Sequence, residues 1–468
     1  MPVLLPTDGL FILMMSGLSV LLWRSLRQEH LRRPWRRVAR NRMAMVSAVI
    51  LMAYLLIAVL DSIRFPAVAS AGAGASETAA FIGEPVTLLD LTLDRIRRGQ
   101  EKTYSAPLAV YAHAREMTRR PDGREVWAYP RLRHGGGHLT HPEVEHGRDL
   151  FRLAVHGVLT GLAVWLGGLG LAALAVRPWR AGWGFSPRAV WRGEGVIPWR
   201  AMALTALMIC LVAGLMSGLS QGYHVLGTGK VGEDVLYQGL KSIRTGVLIG
   251  TLTTVATLPL ALGLGILAGY FRGWVDDVIQ YLYTTLNAIP GVLLIAASML
   301  VMQAYMARHE AEFASLATRA DFRLLALCLI LGLTSWTGLC RLLRAETLKL
   351  REMEYIQAAR ALGVGHGMIL WRHILPNLFH LVLISVALDF SSLVLAEAVL
   401  SYVNIGVDPA TESWGNMINS ARLEMAREPV VWWSLATAFV FMFALVLPAN
   451  LFADAVRDAF DPRRVDED

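Results

Sequence analysis

Two groups of side chains in this 468-residue chain have types and spacing that suit a functional site. The first is a histidine-rich stretch whose imidazole and carboxylate groups are ligand types that Zn²⁺, Cu²⁺ and Ni²⁺ accept. Its members are His134, His138, His141, Glu143 and His146. Their spacing is irregular and residues 135–137 are all glycine, so we favour a solvated loop without metal and keep a metal site as the alternative.

The second group lies in the charged segment 341–376, where the pattern favours a docking element over acid–base chemistry. Residues 342–361 contain no Pro or Gly and mix charged with apolar side chains, which predicts an amphipathic helix. Glycines at 363, 365 and 367 then break this helix before a second, short one. The whole would form a rigid knob that fits a groove on a partner protein. The alternative is a solvated loop that lies on lipid headgroups.

Composition predicts that these groups belong to a membrane protein. Hydrophobic residues make up 55% of the chain and charged residues 17%, about two thirds of the charged share of a soluble domain. Apolar runs of about 17 to 25 residues recur along the chain and match the ~30 Å hydrocarbon core of a bilayer. We therefore expect an all-α polytopic membrane protein with the lipid bilayer as a partner, and neither a water-soluble enzyme nor a nucleic-acid-binding protein.

Nine candidate spans are long enough to cross the bilayer as helices. They lie at about 8–23, 43–61, 153–176, 201–221, 245–271, 278–303, 323–341, 377–400 and 431–455. Eight arginines and a single acid, Glu29, lie between the first two spans, which predicts a cytoplasmic loop there. The N-terminus is then outside and the C-terminus cytoplasmic. The first span lacks a basic n-region, so we expect a retained anchor and not a signal peptide.

The spans divide the chain into four predicted regions. Residues 1–61 hold two spans and the arginine-rich loop, and 62–152 form a small extracytoplasmic insertion that begins Gly/Ala/Ser-rich at 67–80 and becomes helix-like at 88–98. Residues 153–200 add a span and a basic loop, and 201–468 carry the remaining six spans. Gly246/Gly250 and Gly265/Gly269 have the spacing that lets membrane helices approach closely.

Two acidic residues, Asp389 and Glu397, lie inside the eighth span. Acids within spans are costly and usually face a pathway or a partner. Eight residues apart, they lie about two helical turns from each other on similar faces. One interpretation places Asp389 in a cavity and Glu397 at an interface near an outer gate; the other is hydrogen bonding between helices. Pro290 is expected to kink the sixth span.

The spacing of the charged segment also resembles that of a known family. Gln357-Ala358-Ala359, then Gly363, then Leu375-Pro376 follow the EAA loop of binding-protein-dependent ABC importer permeases. Gln357 replaces the usual acid and His373 replaces the usual Ile. Residues 372–377, RHILPN, resemble the peptide/nickel branch of this family in particular.

Further stretches are similar to the C-type permease subunit of that branch and cover about 200–464 in order. They are 224–228 with Gly232 and Asp234, 269–271, 273–276, 288–290, 395–402, 413–417 and 454–463. Gly229 and Glu233 stand where the family usually has an acid and an arginine. Residues 35–60 resemble the start of the family. The resemblance implies a six-helix type I permease core, the fourth to ninth spans, with about three added N-terminal helices.

What the resemblance implies about function is a permease subunit in a bacterial inner membrane. An extracytoplasmic solute-binding protein would deliver di- or oligopeptides, a second permease would share the pathway, and two ABC ATPases would use ATP and Mg²⁺. The chain has no GxxxxGK[ST] motif, so ATP hydrolysis is expected in the partners and no bound cofactor in this chain. Nickel or another small solute is the alternative cargo.

The residues that the resemblance assigns to ATPase coupling lie in the charged segment. They are Glu354, Tyr355, Gln357, Ala358, Ala359, Gly363, Leu375 and Pro376. Our hypothesis is that Ala358 and Ala359 are small so that the knob seats deeply, while Gly363 permits the bend.

Two other classes of function compete with this one. His156, His373 and His380 lie in or near spans and could hold haem or a metal in a membrane oxidoreductase. A scaffold or sensor that has lost transport is the third class. The three cysteines, Cys210, Cys328 and Cys340, lie in or beside apolar runs without CxxC spacing, which disfavours disulfides and thiolate metal sites.

Overall fold

A computed structural model describes residues 5–27, 29–65, 85–119, 125–175, 197–313 and 315–460. Two predicted features lie outside these residues: the Gly/Ala/Ser-rich stretch 67–80 and residues 177–196 of the basic loop that follows the third predicted span. The chain forms two compact units. Among the described residues, the first comprises 36–65, 85–119, 125–175, 197–245 and 412–451, and the second comprises 5–27, 29–35, 246–313, 315–411 and 452–460.

Helices dominate both units. In chain order they are α1 (Pro6–Arg27), α2 (Glu29–Arg40), α3 (Arg42–Ser62), α4 (Leu88–Thr92), α5 (Asp94–Arg98), α6 (Pro142–Ala175), α7 (Trp199–Leu219), α8 (Val235–Phe271), α9 (Trp274–Ala288), α10 (Gly291–Arg308), α11 (Leu316–Arg351), α12 (Glu354–Ala361), α13 (His366–Ile369), a π-helix (Leu370–Ile374), α14 (Leu375–Tyr402), α15 (Trp414–Glu424) and α16 (Trp433–Phe460). Two short antiparallel pairs join β1 (Arg64–Phe65) to β2 (Val86–Thr87) and β3 (Glu116–Arg119) to β4 (Glu125–Ala128).

The all-α polytopic prediction is confirmed. Among the described residues, eight helical stretches are long and apolar enough to cross a bilayer. They are α3, α6, α7, α8, α10, α11, the run His366–Tyr402 and α16. The first predicted span, 8–23, corresponds to the shorter apolar stretch Pro6–Val20 of α1.

The sixth predicted span differs from the expectation of a kinked helix. Residues 278–303 belong to two helices, α9 and α10, and Pro290 is the N-cap of α10. A proline lacks the backbone N–H that continues a helix, so the chain stops and restarts there. Pro259 in α8 and Pro448 in α16 lie inside continuous helices, so a proline alone does not decide between a break and a tolerated residue.

In the first unit, α6 and α7 form a hairpin whose backbones touch through glycines. A side chain on Gly161 would overlap the carbonyl oxygen of Cys210, and one on Gly218 would lie 2.6 Å from the Cα of Gly157. The missing side chains let the two helices approach to backbone contact, which gains packing and excludes lipid. The helix α6 starts at Pro142 and therefore begins before the predicted span 153–176.

The insertion between α3 and α6 is fixed to the start of α8 by a partly buried cation. Lys241 Nζ lies 2.9 Å from an Asp90 carboxylate oxygen and 3.4 Å from one of Asp61, and the Tyr237 hydroxyl donates to Asp90 at 2.7 Å. Thr87 and Asp90 form a capping box at the start of α4. The helix predicted at 88–98 is present as α4 and α5.

In the second unit, the part of α8 from residue 246 onward packs against α11. A Cβ on Gly265 would lie 2.9 Å from the Cys340 carbonyl oxygen, and one on Gly269 would lie 2.7 Å from that of Arg344. The predicted close approach at this glycine pair is confirmed. Gly250 instead faces the ring of Phe390.

The glycine contact between α6 and α7 makes a testable prediction. Gly161→Leu should lower the free energy of unfolding by about 2 kcal/mol or more, because the added side chain has no space between the backbones. Gly170→Leu is the matched control, since a Cβ at Gly170 meets nothing within 4 Å. Thermal unfolding of the purified proteins in detergent measures both. Equal melting temperatures for the two variants would contradict the close contact.

Candidate functional site

The segment that connects α11 to α14, residues 352–374, is the candidate site and is called the connecting segment below. The predicted single helix over 342–361 is wrong in one respect. The helix α11 runs on to Arg351, Met353 is extended (φ −70°, ψ 142°), and α12 starts afresh at Glu354. After this turn, the Ile356 side chain lies in the apolar core of the second unit.

One side of the connecting segment is buried. Ile356, Ile369 and Ile374 have no exposed area, and neither has Leu378 at the start of α14. They share a core with Leu343 of α11 and with Tyr270 and Ile266 of α8. Burying a side chain of this size contributes about 1.5–3 kcal/mol, so these contacts hold the segment rigidly against three long helices.

Polar contacts fix the same segment to the end of α8. The Tyr270 hydroxyl and His366 Nδ1 lie 2.8 Å apart. Arg351 donates to the Tyr270 carbonyl oxygen at 2.8 Å, and the Arg360 guanidinium lies 5.4 Å from the centre of the Tyr270 ring. Asp276 of α9 accepts two hydrogen bonds from Arg344 of α11, at 2.6 and 2.7 Å.

The predicted coupling residues divide between internal contacts and the surface. Gln357 Nε2 donates to the Glu352 carbonyl oxygen at 3.1 Å, and Asn377 Nδ2 donates to the Tyr355 hydroxyl at 3.1 Å. Pro376 lies in the first turn of α14, next to Leu375. Glu354 starts α12 and is exposed.

Gly363 ends α12 in a left-handed conformation. Its φ is +75°, its N–H donates to the Arg360 carbonyl at 3.0 Å, and the next N–H, of Val364, donates to Ala359 at 3.1 Å. This pair of bonds is a Schellman motif, which glycine favours because it has no Cβ. Gly363 therefore forms the bend that the sequence predicted.

The other side of the connecting segment is an exposed apolar face. It consists of Met353, Tyr355, Leu362, Met368 and Trp371. Leu362 is 83% exposed and Trp371 is 75% exposed. Ala358 is exposed, whereas Ala359 is buried in the core of its own unit. Only Ala358 of the two alanines is therefore placed to touch another protein.

The two acids of α14 have different surroundings in the second unit. Glu397 is 1% exposed and accepts a hydrogen bond of 2.7 Å from Ser401 one turn later, which fits a packing role. Asp389 is exposed and lines a cavity with Thr254 of α8 and Ser335 of α11. Pro290 is exposed between α9 and α10.

The histidine-rich stretch is dispersed over separate contacts. His138 Nε2 lies 2.7 Å from Asp149, His146 Nε2 lies 3.1 Å from the Leu108 carbonyl oxygen, and the His134 N–H donates to Glu101. In the part of the chain that the structure describes, no three His, Cys, Asp or Glu side chains are grouped as metal ligands. Of the histidines considered for haem, His156 is exposed on α6 and His373 lies beside Tyr355.

A buried ion cluster in the first unit was missed from the sequence. His224 Nδ1 lies 2.8 Å from Asp234, and its Nε2 lies 3.6 Å from Glu101. Burial alone would lower the pKa of His224, but the hydrogen bond to Asp234 and the nearby charge of Glu101 outweigh it and raise this pKa to about 9. Burial opposes ionisation of Glu101 as well, yet the nearby His224 ring and hydrogen bonds from the N–H groups of His134 and Arg133 lower its pKa to about 2.

This cluster predicts a pH dependence of stability. The folded-state pKa of His224 lies above the unfolded value of about 6.5, so its stabilisation is complete below pH 6.5 and is lost as pH rises through 9. The shift of the His224 pKa corresponds to a loss of stability on the order of 3 kcal/mol as pH rises. His224→Gln should abolish most of this pH-dependent loss. Melting temperatures between pH 6 and 10 measure it. An equal pH slope in both proteins would contradict the buried ion pair.

Comparison with known proteins adds a family to this geometry. Residues 261–466 match the binding-protein-dependent transport system inner membrane component family, and residues 30–70 match the N-terminal TM domain of oligopeptide transport permease C. The second match includes α3, which the sequence analysis counted among the added helices.

Individual relatives agree with these matches. The chain is 31% identical over 242 residues to the glutathione transport system permease protein GsiD of Pectobacterium atrosepticum, over 51% of this chain and 73% of the relative. It is 32% identical over 239 residues to the oligopeptide transport system permease protein OppC of Mycobacterium bovis, over 51% of this chain and 76% of the relative. The chain therefore belongs to the binding-protein-dependent ABC importer permeases, in the C-type subunit of their peptide/nickel branch.

Proposed function

We propose that this inner-membrane permease carries di- or oligopeptides that an extracytoplasmic binding protein delivers, and that the connecting segment couples it to ABC ATPase subunits. The relatives named as oligopeptide and glutathione permeases support the peptide cargo. The observation that carries the coupling role is the one-sided burial of the connecting segment. Its inner side is packed into its own unit, while its outer side exposes apolar side chains.

The partner contact follows from the exposed apolar face. Met353, Leu362, Met368 and Trp371 are each at least 45% exposed on a segment that also carries Arg360 and Arg372. Large apolar and aromatic side chains surrounded by charges are typical of helices that enter a groove on another protein. In this proposal the groove belongs to the ATPase subunit, and Leu362 and Trp371 are the anchors.

Transmission of movement follows from the buried side. ATP binding closes the two ATPases, and a segment held by Ile356, Ile369 and Ile374 moves with them as one body. Because the Tyr270 contacts and the Asp276–Arg344 ion pair join this body to α8, α9 and α11, the helices that border the pathway rotate together. ATP and Mg²⁺ are used by the partners, and a second permease completes the pathway.

The six helices of the family core are, in this proposal, α3, α8, the broken pair α9–α10, α11, α14 and α16. The match over residues 30–70 contains α3, while α6 and α7 lie between the two matches. The α6–α7 hairpin and α1 are then the added elements. The connecting segment and the C-terminus lie in the cytoplasm, and the N-terminus lies outside together with the insertion between α3 and α6.

A charge placed on the exposed apolar face tests the coupling role. Leu362→Glu should leave the amount of chain in the membrane unchanged and lower ATP-dependent uptake of a labelled peptide at least about tenfold, because an apolar groove cannot solvate a carboxylate. Val144→Glu is the matched control. Val144 is 82% exposed and Leu362 is 83% exposed, but Val144 lies at the start of α6.

The control separates loss of docking from a general effect of added charge. Uptake should stay near the wild-type rate in Val144→Glu. Wild-type uptake in Leu362→Glu would contradict the proposed contact, and equal losses in both variants would assign the effect to charge and not to docking.

A further inference from the structure

A cavity in the second unit lies halfway along three helices. Its volume is about 70 Å³. Five of its nine lining side chains are polar: Thr254 and Thr257 of α8, Ser335 of α11, and Asp389 and Ser392 of α14. Because these positions fall near the middle of membrane-spanning helices, the cavity lies deep within the span and away from either surface.

Three of the four hydroxyl groups in this cavity donate their protons to helix carbonyls and so present acceptors to its interior. Thr254 donates its proton to the Gly250 carbonyl oxygen at 2.7 Å, Thr257 donates to Thr253 at 2.9 Å, and Ser392 donates to the Asp389 carbonyl at 2.8 Å. A hydroxyl that has donated its proton keeps lone pairs that accept. The wall therefore offers acceptors beside the Asp389 carboxylate.

The Asp389 side chain has no cation beside it within the described residues. Ser392 donates to the backbone carbonyl of Asp389, and no described group bonds to its carboxylate. A carboxylate at this depth costs roughly 3 kcal/mol, and such residues persist where they face a polar pathway or a cationic ligand. One carboxylate with hydroxyl oxygens is a poor site for Mg²⁺ or Ca²⁺, which need six or more oxygen ligands.

We propose that the cavity around Asp389 binds the primary ammonium group of the transported solute. An ammonium has three donors and no acceptor, which matches a wall made of one carboxylate and several hydroxyl acceptors. A free peptide N-terminus supplies such a group near neutral pH. This inference rests on the proposed peptide permease function and makes Asp389 a specificity-determining residue of the pathway.

The test compares two peptides that differ only in this group. Uptake of labelled tri-alanine and of N-acetyl-tri-alanine is measured in proteoliposomes that contain the complete importer and its binding protein. Asp389→Asn should lower tri-alanine uptake about tenfold and leave N-acetyl-tri-alanine uptake unchanged. Asp389→Glu keeps the negative charge, so this variant should still take up tri-alanine in preference to N-acetyl-tri-alanine. The binding protein is the same throughout, so its own selectivity cancels when the ratios of the variants are compared.

A second substitution tests the same site if Asp389→Asn does not assemble into the importer. Thr254→Val keeps the shape of the wall and removes one acceptor, so the ratio of tri-alanine to N-acetyl-tri-alanine uptake should fall about threefold. An unchanged ratio in Thr254→Val and in an assembled Asp389→Asn would overturn the ammonium site and leave the permease function intact. A wild-type importer that takes up neither peptide would overturn the peptide permease function, and the ammonium site with it.

Discussion

The burial of Ile356, Ile369 and Ile374 is the contact on which the account of this permease depends. These side chains fill one core with Leu343 and Tyr270, so the connecting segment cannot move without the long helices that flank it. On the other side of the segment, Leu362 and Trp371 point outward and are 83% and 75% exposed. A segment that is rigid on one side and apolar on the other can both receive a partner and pass on its movement.

Membrane spans could be predicted from composition because lipid leaves the backbone few alternatives. Apolar runs such as 43–61 and 431–455 must form helices that satisfy their own hydrogen bonds, and they appear as α3 and α16. The breaks could not be predicted in the same way. Pro290 separates two helices while Pro259 lies within one, and the outcome depends on neighbours that satisfy the freed carbonyl groups. The sequence analysis noted the glycine pairs 246/250 and 265/269 but not the pairs 157/161 and 214/218 that join α6 to α7, because spacing alone does not name the helix that each glycine faces.

The candidate site was predicted in part. Gly363 lies at the bend that its residue type and position indicated. Alternation of apolar and charged residues could not tell that Ala359 is buried and Ala358 exposed, because that depends on the side of α12 that α11 covers. Glu101 and His224 are separated by more than a hundred residues that include the helices α6 and α7, so no local pattern connects them. The Asp389 cavity offers acceptors because Thr254 and Thr257 donate their hydroxyl protons to helix carbonyls. No sequence pattern indicates the direction of these hydrogen bonds.

The contact between the connecting segment and an ATPase subunit is the central claim, and crosslinking at residue 362 tests it most directly. A photoreactive residue replaces Leu362 in the assembled importer, and another replaces Val144 in a parallel preparation. The account predicts that the adduct at 362 contains the subunit with the P-loop sequence, and that its yield changes when ATP is added. An adduct at 144 should lack that subunit. An ATPase adduct at 144 but not at 362 would contradict the account.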